Sequence, residues 1–460
     1  MIFESQARQD FEVKSIVSSE MQSFLSRCAS IYEGRPDWAN QDIKTINFAK
    51  AVCSETARLT MLGTSIKVNG KNSESNARSE WLQGQVDKVF YDIRNWVEYA
   101  CAYGTIVLKP NGESVNAITP NRYMVTATNG TDITGMVFVN KVATDYQHFY
   151  TRLEYHRFME DGAYVISNKC YLSETEESLG DAISVELTPW SHLSDEVTIS
   201  NLVKPLYSVL RMPGANAVDI DSPLRMPIFA DAIEELRDLD IAYSRNAHEI
   251  FESRRIVLMD ADTLIPNKGT QTNVNVQKNT REVMELPEFV RNVTGSGSGD
   301  FYHEINPLLN TQTRLEGINA LLSQLGYKCG YSNGYFVFNQ RTGMVTATQV
   351  EAEDRRTLQL VKDIRDQVEK CLINLIYALD KFADLYDLAP VGEYEINCDF
   401  GDLTYNREED RARWFTYVSA GLVPAWQFFV KFEGMTEEEA KVMVEEAQGA
   451  GKEESLFQEE

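Results

Sequence analysis

Apolar residues recur every three or four positions from Trp81 to Cys101, through Leu82, Val86, Val89, Phe90, Ile93, Trp96, Val97 and Ala100. That period puts them on one stripe and predicts a packed core helix, the clearest in a helical first hundred residues. From Thr105 the period falls to two, and Asn111-Gly112 and Asp161-Gly162 fit hairpin turns between runs such as Thr105–Lys109 and Tyr164–Tyr171. Residues 105 to about 205 therefore read as an antiparallel β module. Pro205, Pro213, Pro223 and Pro227 then predict an irregular connector with a boundary near 215–223.

A helix from about Pro227 to Glu252 is predicted by Ile228, Ile233, Leu236, Leu239, Tyr243, Ala247 and Ile250. Strand-like runs at Ile256–Met259, Val274–Val276 and Glu282–Leu286, with the Gly/Ser run at 295–299, predict a small β module carrying a mobile loop. A second helix, Thr311 to about Leu325, brackets that module, with Leu315, Ile318, Leu322 and Leu325 on one face. Gly326, Gly330, Gly334 and Gly343 then break the helical pattern among Tyr331, Tyr335, Phe336 and Phe338, which suggests a shaped loop.

Thr346-Ala347-Thr348-Gln349 has the form of a capping box and starts a helix of some 40 residues, roughly 60 Å long. Val361, Ile364, Val368, Leu372, Leu375, Leu379, Phe382 and Tyr386 form its seam. Its opening turns, Glu351–Arg356, are almost wholly charged and must face solvent or a neighbouring subunit. A strand at Tyr394–Phe400, helices at Arg407–Ala420 and Trp426–Phe432, and a helix opened by a second capping box at Thr436 and Glu439 complete the chain.

The 460 residues are 43% hydrophobic and 25% charged, which fits a folded protein of about three domains. The net charge of −25 disfavours tight, non-specific coating of DNA. Much of that acidity is terminal, since Glu437–Glu460 holds nine Glu against two Lys. No stretch approaches the ~18 apolar residues of a membrane span, and the start lacks a secretory layout, so a soluble intracellular protein is expected. Seven scattered cysteines with no Cys-x-x-Cys pair fit core thiols better than zinc or disulfides.

Catalytic signals are weak. No phosphate-binding Gly-x-x-x-x-Gly-Lys-[Ser/Thr] loop exists, so the chain cannot be a packaging motor by itself. The five histidines show no metal-ligand spacing. The pairs Asp260/Asp262 and Asp399/Asp402 keep open a metal-dependent nuclease or phosphotransferase, although chance pairs are expected among 69 acids.

The order of elements resembles the portal proteins of tailed double-stranded DNA bacteriophages, above all the long-tailed type with a short crown. The likeness rests on the helix Ile228–Phe251, on Gly334-Tyr335-Phe336-Val337-Phe338 leading into Met344-Val345-Thr346-Ala347-Thr348-Gln349-Val350-Glu351, and on the long helix that follows. Asn47–Leu62 and Tyr103-Gly104-Thr105 match more weakly. The resemblance implies an α+β portal fold: an α/β wing (1–222), a two-helix stem (223–252 and 311–329), a small β-containing clip (253–310), a tunnel loop (330–345), a long wing-spanning helix with its strand (346–400) and a short helical crown with an acidic tail (401–460).

It also implies a non-enzymatic ring, usually of twelve copies, at one capsid vertex of the virion, assembled in the bacterial cytoplasm. Double-stranded DNA would pass through it, driven by the terminase large subunit. Its other partners would be the major capsid protein, scaffold and a head–tail adaptor, with no cofactor, metal or membrane. Asn339, Gln340, Arg341 and Thr342 become candidate DNA contacts, with Arg341 paired to a neighbour's Glu351 or Glu353 as the equal alternative. Lys268, Lys278, Arg281 and Arg291 become a candidate docking face, against the reading that they are simply solvated. Tyr335, Phe336 and Phe338 become candidates for packing between subunits, against packing within one chain. A head–tail protein without a channel is the remaining structural alternative.

Overall fold

The computed structural model describes residues 2–72, 75–112, 114–143, 148–252, 256–260, 290–293, 302–305, 311–338, 347–401, 407–433 and 435–445. Two compact units emerge, one of residues 1–61 and 66–398 and one of 62–65 and 399–460.

The large unit opens with α1 (Ile2–Phe11), α2 (Ser19–Tyr32) and α3 (Phe48–Thr60), then β1 (Thr64–Gly70) and α4 (Asn76–Tyr103). α4 buries Leu82, Val86, Val89, Ile93, Trp96, Val97, Ala100 and Cys101, the predicted stripe, while Phe90 stays outside it. Gly104 ends the helix at φ +73°, where an added Cβ would lie 2.0 Å from the Arg225 carbonyl oxygen. Only glycine both adopts that backbone and leaves that space.

The predicted β module follows as β2 (Thr105–Pro110), β3 (Val115–Ile118), β4 (Tyr123–Asn129), β5 (Asp132–Ala143), β6 (Phe149–Phe158), β7 (Tyr164–Ser173), β8 (Asp181–Ile183), β9 (Glu196–Ile199) and β10 (Ser208–Arg211). It is antiparallel, as its period indicates, but divided into two sheets. One has the order β10-β2-β3 and the other β4-β5-β6-β7-β8, with β9 also on β7. The Asp161-Gly162 turn is closed by the Asp161 carboxylate, which accepts from Ala163 N at 2.9 Å. Alternate residues of the larger sheet feed two cores. Val137, Val139, Leu153 and Tyr155 pack on Phe3 and Ala7 of α1. Met136 and Phe138 pack with Met21 and Leu25 of α2 and with Tyr207, Leu224 and Met226. The proline-rich connector is thus irregular, as predicted, yet lies within the core and not between separately packed bodies.

α5 (Ile233–Glu252) starts later than the sequence suggests, because a single 3-10 turn, 230–232, takes its first residues. The strands β11 (Ile256–Asp260), β12 (Val290–Val293) and β13 (Tyr302–Ile305) form a small sheet ordered β12-β11-β13, with a parallel β11/β12 pair. The expected strands at 274–276 and 282–286 lie outside the described residues. After α6 (Thr311–Lys328) comes α7 (Ala347–Leu385), 39 residues long as its seam requires. Val361, Ile364, Val368, Leu372, Leu375 and Leu379 are buried, whereas Tyr386 beyond its end is exposed. β14 (Tyr394–Phe400) pairs with β1.

In the small unit, α8 (Arg407–Ser419) and α9 (Ala425–Glu433) join through aromatic rings, with Trp414 6.2 Å from Phe432 and Lys431 4.3 Å above Trp414. The Thr436/Glu439 capping box forms: Thr436 N donates to Glu439 Oε2 at 3.1 Å, and Glu439 N donates to Thr436 Oγ1 at 3.4 Å.

Candidate functional site

The region that the sequence singled out is built on α5 and α6. Lys328 at the end of α6 meets Glu235 at the start of α5 at 2.7 Å, and Arg314 near the start of α6 pairs with Glu249 near the end of α5. The helices are therefore antiparallel neighbours. On α5 the first half of the apolar seam is buried (Ile233, Leu236, Leu239), whereas Tyr243 is 44% and Ile250 55% exposed. The same division holds on α6, where Leu322 and Leu325 are buried and the first turns are open. One end of the pair is held in the core, while at the other α5 presents Tyr243 and Ile250 outward and α6 presents polar Thr311, Gln312, Thr313 and Glu316 with Leu315 and Ile318 half-buried.

Polar contacts fix the held end. Asp240 of α5 is buried and accepts from Trp38 Nε1 at 2.9 Å and Ile46 N at 3.0 Å. Ser244 Oγ accepts from Lys44 N at 2.8 Å. These contacts span about 200 residues of sequence, and no local motif announces them.

Beyond α6 the chain reverses through a Schellman turn: Gly330 N donates to Tyr327 O and Tyr331 N to Gly326 O. Gly330 takes φ +91°, which explains a glycine there. The helix ends at this point and not at Gly326, whose missing Cβ makes room for the Phe336 ring. Tyr331 is buried and its hydroxyl meets Thr56 Oγ1 at 2.6 Å. Tyr335 donates to Glu55 Oε1 at 2.5 Å, and Phe336 stands edge-on to Phe48. Ser332 and Thr357 exchange hydrogen bonds between this turn and α7. Arg356 stacks on Tyr327 at 3.7 Å, and Arg365 Nε donates to Thr60 O at the end of α3.

Tyr335 and Phe336 thus have partners within the chain, and Phe338 is exposed, its backbone N donating to Asn319 Oδ1. Asn339, Gln340, Arg341 and Thr342 lie outside the described residues, as do Thr346 and the side chains of Gln349, Glu351 and Glu353. So do Lys268, Lys278 and Arg281. Arg291 lies on β12 opposite Leu258. The structure therefore describes both anchors of the expected loop.

The Arg58 hydrogen bonds, opposed by partial burial and aided by Tyr335, hold the Glu55 carboxyl below its ordinary value. A depressed carboxylate stabilises the fold above its unfolded pKa and loses that contribution as pH falls through the folded one. Tyr335→Phe is expected to cost about 1 kcal/mol in urea unfolding at pH 7, with the cost shrinking on acidification. An equal cost at all pH values would contradict this coupling.

Burial pushes the Cys28, Cys329 and Cys371 thiols up to about 12, so they are poor nucleophiles. Among the described residues no group of three or more His, Cys, Asp or Glu could share a metal ion. Asp262 and Asp402 lie outside them. No described helix is long and apolar enough to cross a membrane.

The model of the phage portal protein family, SPP1 Gp6-like, matches residues 34–453. This chain belongs to that family. The match includes the helix pair, the anchored turn and α7, and so supports the resemblance read from the same stretches. Among curated proteins no relative matches. Solved structures similar to this portal-family chain include one from the virion of a native gene transfer agent particle, at 10% identity and TM-score 0.41, covering 94% of this chain and 99% of that one. Another comes from the neck of an empty particle of that kind, at 10% identity and TM-score 0.43, covering 91% and 96%.

Proposed function

We propose that this chain is a non-enzymatic portal subunit whose copies, twelve by family likeness, close into a ring at one vertex of the capsid. The observation that carries the reading is the family match over residues 34–453, which includes a helix pair rooted in the core at one end, with Tyr243 and Ile250 of α5 outward at the other. In this reading α5 and α6 are the stem, 253–310 the clip, 1–222 the wing with α7 across it, and 401–460 the crown. The ring passes double-stranded DNA during terminase-driven packaging, retains and later releases it, and joins head to tail. Assembly takes place in the bacterial cytoplasm with capsid protein and scaffold, and the clip with Lys268, Lys278, Arg281 and Arg291 meets the terminase or the adaptor.

A sliding duplex needs weak, replaceable contacts, since each phosphate neutralised by a fixed cation adds affinity. A chain of net charge −25 suits that, with a few polar groups touching the backbone. Asn339, Gln340, Arg341 and Thr342 are those groups, repeated around the ring so that one modest contact is multiplied. Phe338 at the base of the loop packs against a neighbouring copy. The double variant Gln340→Ala/Arg341→Ala should assemble normally but change packaging yield or DNA retention. Unchanged packaging in an intact ring would remove these residues from the reading.

A further inference from the structure

The β1/β14 ribbon has two edges, and the fold closes one of them. Gly401 N donates to Gly63 O and Lys71 N to Glu393 O, bonds eight residues apart on each strand. The pair is therefore antiparallel, with Ser65, Lys67 and Asn69 opposite Asp399, Asn397 and Glu395, and the backbone groups of these residues turned inward. Those of the residues between them must point away from the pair. On β1 they meet Gln83 of α4: Val68 N donates to Gln83 Oε1 at 2.7 Å, and Gln83 Nε2 donates to Ile66 O at 3.2 Å. A side-chain amide stands where a third strand would.

Nothing does the same for β14. Tyr394, Ile396 and Cys398 turn their N–H and C=O groups outward, and among the described residues neither a strand nor a side chain meets them. Such a row is a template for another strand, and folds usually blunt it with proline, lysine, a bulge or a cover. The strand Tyr394–Phe400 holds neither proline nor lysine.

The two faces of β14 differ. Tyr394, Ile396 and Cys398 are half-buried. Burial pushes the Tyr394 hydroxyl up to about 12 and the Cys398 thiol up to about 11, with Asp380 and Glu369 of α7 adding to the respective shifts. That face therefore lies on the α7 side. Glu395, Asn397 and Asp399 are exposed on the other, and Glu393 precedes them in the same alternation with a side chain 75% exposed. Of these acids only Glu393 has an ion-pair partner among the described residues, Lys71 at 3.5 Å.

We infer that the outer edge of β14 takes an extended segment of another polypeptide as a third strand. The segment is apolar at the alternate positions that continue the α7 side and basic at those beside Glu393, Glu395 and Asp399. Main-chain bonds to Tyr394, Ile396 and Cys398 supply the affinity, and the acidic row supplies the choice of partner. The edge has no part in the portal reading, so either can fail alone.

The test uses the full chain and, as probe, a capped heptapeptide that alternates lysine and valine, by titration calorimetry. Saturable binding is expected, and a peptide with glutamate in place of lysine should bind about tenfold more weakly or worse. A strand added at one edge uses alternate N–H groups, so N-methylation of the valines and N-methylation of the lysines should differ: one form loses binding and the other keeps it. Ile396→Pro removes the central outward N–H, which lies outside the ladder with β1, and should weaken the lysine peptide about tenfold. Because that change also removes a half-buried side chain, Glu393→Lys/Glu395→Lys serves as a second variant. Both positions are exposed, so the melting temperature should hold while the preference between the two peptides reverses. No saturable heat at millimolar peptide would overturn the assignment, whether the acids only guard the edge or a neighbouring copy fills it. Equal behaviour of the two N-methylated forms would also overturn it, since attraction by charge alone needs no strand edge. So would an unaltered preference in the folded Glu393→Lys/Glu395→Lys chain.

Discussion

Replacing Tyr243 with aspartate should leave a folded chain that no longer closes into a ring. Tyr243 begins the exposed half of the α5 seam, after Leu236 and Leu239 have entered the core, so its ring contributes little to the single chain. In the proposed ring, the outward apolar face at this end of α5 is the surface that a neighbouring copy would cover. A tyrosine buried at such a contact is worth about 2 kcal/mol, a factor of roughly 30 in the affinity of each interface. Burying an unpaired carboxylate there adds a further penalty. Every interface of a closed ring carries the same lesion, so the losses accumulate around it. Sedimentation should show monomers or small open oligomers with unchanged circular dichroism and melting. Tyr243→Phe, which keeps the apolar area, should assemble. An intact ring from Tyr243→Asp would take α5 out of the subunit contact.

The second large effect is on the fold. Glu154→Gln should destabilise the chain by about 3–5 kcal/mol at pH 7, because it leaves Lys109 and Arg152 buried without their shared counter-charge. For a protein of this size that is a fall of the order of 10 °C in melting temperature. The pH dependence follows from the directions of the shifts. Burial lowers the His156 pKa, so the folded state resists protonation and stability begins to decline as pH falls below the ordinary histidine value. Glu154 is held well below the ordinary carboxylate value, so its contribution is complete above about 4.5 and is lost on further acidification. The wild-type chain should therefore lose stability in acid in two stages, and Glu154→Gln should lack the second. A variant that melts with the wild type at pH 7 would mean that the two cations are solvated, contrary to their burial.

Elements whose pattern is set by their own face were legible in the sequence. The seam of α7 and the stripe of α4 are each buried along one side of a single helix, so their period reports their length directly. The start of α5 was not, because Pro227 suits a helical first position but here accepts a bond from Ala230 and opens a turn that precedes the 3-10 residues. β12 and β13 escaped because four-residue strands of mixed composition carry too little alternation to stand out. At the candidate site the glycines and aromatics of 326–338 marked a shaped loop. They did not show which glycine turns the chain, since Gly326 and Gly330 differ only in what surrounds them.

The buried cluster of Lys109, Arg152 and His156 around Glu154 shows the limit most clearly. Arg152, Glu154 and His156 alternate with apolar residues as on a strand with one wet face. Burial of that face depends on α7 and the segment around Trp190, far away in sequence. The anchors Asp240 and Arg365 are hidden for the same reason, since each satisfies backbone groups roughly 200 or 300 residues away.

An averaged electron micrograph of the purified protein, viewed down its symmetry axis, tests the central claim most directly. The account predicts a closed ring of identical subunits around an open centre that a DNA duplex can thread. A particle with a filled centre, a hole too narrow for duplex, or a chain that stays monomeric under all conditions would contradict it.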